Sequence, residues 1–173
     1  MKSLKLATAV AIFLVLGSVQ GSNLAAQSVP ANAGFASLKS LAGVWEGTVN
    51  EGGKVLPVST SFRLVSDGSA LMNDLMSGTP HEMITMFHLD GGELMATHYC
   101  AAHNQPRFLM APSADPRVVD FEFKDATNLS SPTAPHMVRV RFTFVNANHH
   151  VEDWTFLSSG QTTTRHFDFY RKS

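Results

Sequence analysis

From Val44 onward apolar residues recur with a period of two, and the chain never again sustains a helical period. The runs "VWEGTVN", "PVSTSFRLVS", "SALMNDLMS", "HEMITMFHL", "ELMATHYC", "PRFLMA", "RVVDFEFKD", "HMVRVRFTFVN", "HVEDWTFLS" and "TTTRHFDFYRK" follow one another, most of them across tight turns. Asp-Gly between two apolar strands, as in "LDGGEL", is among the strongest hairpin signals. The longest break is "ATNLSSPTAP", around Asn128. Consecutive antiparallel strands with no helix between them form a meander, and at this strand number the sheet closes to remove its edges. The sequence therefore predicts an all-β fold: an up-and-down antiparallel β-barrel of roughly ten strands over residues 37–173. A short helix at Phe35–Leu41, in "FASLKSLAG", leads into it. A closed barrel of this size leaves an interior able to hold one small ligand.

The start of the chain reads differently. Lys2 and Lys5 precede the apolar run Leu6–Leu16, and "GSVQGSNLAAQ" follows with small and polar residues. That is the layout of a secretory signal peptide over residues 1–26, cleaved after Gly21 or Ala26, with 27–36 a flexible leader. The apolar run is too short for a stable membrane span. The expectation is an exported protein, periplasmic or secreted, soluble once the signal is removed. What remains, roughly 145 residues, suits one domain with a real core. Charged residues are 16% of the chain and the net charge is −1, without the basic excess of a nucleic-acid binder. Cys100 is the lone cysteine and has no partner for an internal disulfide. In an oxidising compartment it must be buried, ligated or open to a partner.

Alternation sorts the strands into inner and outer faces. Val138, Val140, Phe142 and Phe144 share one face, opposite Arg139 and Arg141; Val119, Phe121 and Phe123 do the same against Asp120 and Glu122. On the last strand Phe167 and Phe169 share a face with Arg165 and Arg171, whereas His166 and Asp168 face away. The exception is "HVEDWTF", where Trp154 and Phe156 carry His150 and Glu152 onto the inner face. An interior carboxylate needs a partner. In the hairpin of residues 81–100 the more apolar face carries His81, Met83, Thr85, Phe87 and Leu89 with Leu94, Ala96, His98 and Cys100. His98 and Cys100 then project inward together.

Three readings of these residues stand side by side. His98 and Cys100, two apart on a strand and joined by His81 or His103, offer nitrogen and sulfur ligands suited to zinc or copper. The same pair reads more readily as a buried hydrogen-bonding histidine and a small core residue. Between these, His98, Thr85, Arg107, His150 and Glu152, with Cys100, are convergent polar groups orienting a small apolar or amphiphilic ligand. The wall of that cup would come from Phe87, Phe121, Phe142, Phe144, Trp154 and Phe156. Arg107 would pair with Glu152 or meet a ligand carboxylate. Asn104 and Gln105 read as a turn satisfying its own backbone before Pro106. No nucleophile elbow, phosphate-cradling glycine loop or carboxylate pair on one strand points to catalysis. A His98–Glu152 proton shuttle would need the two to meet across the lumen.

"LAGVWEG", residues 41–47, resembles the Gly-x-Trp opening of lipocalins and related calycins. That resemblance implies that Trp45 plugs one barrel end with Arg171 of the final strand across its ring. "FHLDGGELMATHYCAAHNQPR", residues 87–107, is similar to the middle hairpin of lipocalin-like proteins exported by bacteria, which implies a fold and carries no activity. The overall expectation is a monomer or weak homodimer that binds a small hydrophobic or amphiphilic molecule, with no cofactor expected. A weaker similarity is to nitrobindins, ten-stranded barrels that open with Gly-x-Trp-x-Gly and hold haem through a histidine near the C-terminus. Gly43, Trp45, Gly47 and His166 stand at the matching places. Strand parity opposes that role, since turning His166 inward would expose Phe167 and Phe169. The alternatives to a ligand carrier are thus a haem or divalent-metal barrel with His81, His98, Cys100 or His166 as ligands, a small barrel enzyme, or a filled barrel working through its surface.

Overall fold

The computed structural model describes residues 28–173. The proposed signal peptide lies outside them. A helix, α1 (Ala31–Lys39), precedes ten strands: β1 (Gly43–Glu51), β2 (Lys54–Val65), β3 (Ala70–Leu75), β4 (Met83–Asp90), β5 (Glu93–Tyr99), β6 (Gln105–Ala111), β7 (Val118–Thr127), β8 (His136–Asn146), β9 (His149–Ser158) and β10 (Gln161–Arg171). Each strand pairs antiparallel with its neighbours in sequence, and β1 pairs with β10 to close the barrel. The predicted fold class is the observed one.

The helix begins earlier than predicted. Residues 31–34, read only as leader, form its first turn, and Phe35 and Leu38 are buried. Pro30, extended, supplies the carbonyl for the first turn, and Val29 donates to the Ser113 carbonyl. Gly34 allows the close approach: a Cβ there would stand 2.7 Å from the Met110 sulfur. Burying Phe35 and Leu38 contributes roughly 1.5–3 kcal/mol each, enough to hold a single short helix on the barrel.

The helix closes one end. It packs against β4, β5 and β7, where the β2–β3 turn also lies, and Lys39 donates to the Gly68 carbonyl. Trp45 is fully buried beside it, and its indole N–H donates to the Leu41 carbonyl at 2.7 Å. The Arg171 guanidinium lies over the Trp45 ring, 4.2 Å from its centre, and donates to the carbonyls of Ser40 and Ala42 at 2.8 Å. Those carbonyls have no acceptor role within the helix, so one cation satisfies the helix end and covers the tryptophan. In the barrel's middle Phe87, Phe121 and Phe142 pack ring against ring at 5.6–6.5 Å.

Two register details depart from strict alternation. A bulge between Met137 and Arg139 turns Met137 inward and leaves Val138 only half-buried, the reverse of the sequence expectation. A second bulge falls between Arg107 and Phe108 where β6 meets β7.

Candidate functional site

The end opposite the helix is open. A cup of about 330 Å³ lies there, lined by Met76, Met83, Met137, Phe156 and Trp154, with His81, Cys100–Ala102, Thr163 and Arg165 completing its wall. It exists because the residues reaching this end are small, as at Ala101 and Ala102, or unbranched, as at the three methionines. Loop 76–82 between β3 and β4 forms one side: Met76 donates to the Ser59 carbonyl, and Gly78 N–H donates to Glu82. Met76 and His81 also border a second hollow, about 490 Å³, beside β1 and β2.

Of the ligand residues expected from sequence, Trp154 and Cys100 line the cup, and Phe156 is part of its wall. Burial pushes the Cys100 thiol up from its ordinary value, so the uncharged thiol faces the cavity. His98, Thr85, His150, Glu152 and Phe87 lie deeper, in the packed interior. There the register sets Thr85 opposite His98, with 2.8 Å between Oγ1 and Nδ1. Burial lowers the His98 imidazole to about 3, so the ring is neutral. Among the described residues its other nitrogen has no partner, and its ring lies 4.8 Å from that of Trp154.

Glu152 has the partners that an interior carboxylate demands. The Trp154 N–H donates to one oxygen at 2.8 Å, and His150 Nε2 meets the other at 3.0 Å. His150 is packed edge-on against Trp45, 4.4 Å between ring centres. Trp154 thus stands between the cup and a buried polar cluster, its ring beside His98 and its N–H on Glu152. The proton-shuttle geometry is absent, because Glu152 is engaged by His150 and Trp154 and His98 by Thr85.

Arg107 does not join this cluster. It lies on the outer face and grips Asp125 with two bonds, at 2.6 and 2.7 Å, because Phe108 next to it takes the inward position. The outer face holds a second charged group. Burial alone would raise the Asp120 carboxyl, but hydrogen bonds from Arg139 and Arg141 outweigh it and hold the group below the ordinary carboxylate range.

The metal candidates scatter. His98 is enclosed, Cys100 lines the cup, His81 is exposed on the loop, and His103 is exposed at φ 64°. His166 is on the outside, 61% exposed, and bonds to Asp153 at 2.7 Å. Its position does not fit a haem inside the barrel. Among the described residues no three His, Cys, Asp or Glu side chains gather as a donor set, and no helix is long and apolar enough to cross a membrane.

The sequence did not reveal the roles of three groups. Asn73 faces inward and donates to Thr60 at 2.6 Å; its place between Leu71 and Leu75 in the alternation was the available signal. Asn104 reaches across to the Pro135 carbonyl at 2.8 Å instead of closing its own turn, tying the β5–β6 and β7–β8 loops together. Arg165 shares the inner face with Phe167 and rises to the cup's edge.

No protein-family model matches the sequence, and no curated protein matches it significantly. Among solved structures, a protein of unknown function of the DUF3598 family from Nostoc punctiforme aligns over 78% of this chain and 48% of its own, with TM-score 0.54 and 12% identity. This chain spans about half the length of that protein. Rv2717c from M. tuberculosis aligns over 81% of this chain and 98% of its own, with TM-score 0.53 and 14% identity. At such identities the likeness is one of fold, and the chain shares its barrel with both.

Proposed function

We propose that the protein is a small-molecule-binding barrel that takes an apolar or amphiphilic ligand into the cup opposite α1. The observation that carries this reading is the asymmetry of the two ends. One is sealed by the helix, Trp45 and Arg171; the other opens onto methionine, phenylalanine and tryptophan side chains with a few polar groups at the edge. A concave, mostly apolar site with sparse polar groups is the common form of a ligand pocket, and about 330 Å³ lies at the small end of that range. The packed Phe87, Phe121 and Phe142 confine the ligand to the mouth. The basic and apolar start of the chain supports export, and calycin-type carriers offer a functional analogy, one of fold alone.

Isothermal titration with decan-1-ol tests the reading. Binding at one site is expected, and Ala102→Trp, which fills the cup from an exposed rim position, should abolish it while the protein stays folded. Absence of binding, or equal binding by the filled variant, would overturn it.

A further inference from the structure

We propose that Arg165 selects the head group of the ligand, and that the cup takes amphiphiles with an anionic head and an apolar tail. This rests on the reading of the cup as a ligand site. The polar residues around the cup are His81, Cys100, Thr163 and Arg165, and no carboxylate is among its lining residues. The tail would lie on Met76, Met83, Met137, Phe156 and Trp154, where unbranched thioether side chains adapt to a chain's shape. A bare anion would gain nothing from such a wall, and a cation would meet Arg165.

Arg165 is placed to receive the anion. One guanidinium nitrogen, Nη2, bonds to Glu51. Among the described residues the guanidinium has no other hydrogen-bond partner, so part of its planar fork faces no acceptor. Both side chains of this ion pair are nearly half exposed, 46% and 48%, and a pair so exposed is weak. Glu51 also has Lys54 opposite it in the β1–β2 register. An incoming carboxylate can therefore share or displace Glu51 at small cost and bind the fork with two parallel hydrogen bonds. Glu51 acts as an internal competitor that lowers affinity for anions until an apolar tail adds its own burial.

The experiment compares octanoate with octan-1-ol and decanoate with decan-1-ol by isothermal titration. The acids should bind roughly tenfold to a hundredfold more tightly than the alcohols of equal length. Each added methylene should strengthen both series by about fourfold until the cup is full. Arg165→Gln should bring the acid-to-alcohol ratio to near one, chiefly by weakening the acids. Arg165→Lys, keeping the charge without the fork, should fall between. Glu51→Gln should raise acid affinity alone. Equal binding of acids and alcohols by the parent, or a ratio insensitive to both substitutions, would overturn the head-group assignment and leave the cup standing. Failure of every acid and alcohol to bind would overturn the cup itself.

Discussion

His98 holds an imidazole where water does not reach, and its stability effect has a definite sign. In the unfolded chain the ring titrates near 6.5; in the barrel burial lowers it to about 3. Above pH 6.5 the ring is neutral in both states and its contribution is fully present. As pH falls from 6.5 towards 3 the unfolded chain takes up a proton that the barrel refuses, and stability is lost. The loss is somewhat more than 1 kcal/mol per pH unit within that window. His98→Gln retains a polar group for Thr85 but cannot titrate. Urea unfolding of both proteins from pH 7 to pH 4 should show their stabilities converging as pH falls; parallel curves would contradict a neutral buried His98. Glu152 was legible because it alternates with Trp154, and the demand for partners followed from burying a charge. Arg107 was not legible. "PRFLMA" is apolar on both faces beyond Arg107, so parity had nothing to sort, and the adjacent bulge shifts the register further.

The strands and the turns between them were readable because alternation and turn chemistry are local. The bulge that brings Met137 inward was not, since it arises from how β8 meets β9 and leaves no mark in the alternation of β8 itself. The early start of α1 has a similar origin. "ANAG" has weak amphipathic signal, and its helix is held by contact with β4, β5 and β7, which only the closed barrel supplies. Closure has its own requirement at Gly47. A Cβ there would stand 1.9 Å from the Asp168 carbonyl oxygen, on the neighbouring strand of the seam between β1 and β10. Gly47→Ala should therefore force those strands apart and cost about 2–4 kcal/mol. Gly53→Ala, in a turn with open space around it and φ 79°, should cost only about 1 kcal/mol of backbone strain. Thermal unfolding of the two variants checks the order, and equal losses would mean that the seam tolerates a side chain.

Across the molecule, closure and the choice of plugged end followed from strand number and the Gly43–Trp45 opening, but the location of empty space did not. The expected cup was walled by Phe87, Phe121, Phe142, Phe144, Trp154 and Phe156, with a filled barrel as an alternative. Phe87, Phe121 and Phe142 instead meet in the centre and fill it, leaving room only at the mouth. Parity says which side chains point inward; it does not say how rings from β4, β7 and β8 share one volume. The barrel is thus filled and sealed towards α1 and open at the opposite end. The chain's methionines report on both ends: Met76, Met83 and Met137 line the cup, whereas Met110 packs against Gly34 of the helix. The measurement to make is a methyl NMR spectrum of the protein carrying ¹³C-methyl methionine, recorded during a decanoate titration. Saturable shifts at Met76, Met83 and Met137 with Met110 unmoved are predicted. Shifts at Met110 with the cup methionines silent, or no shift at any of the four, would contradict it.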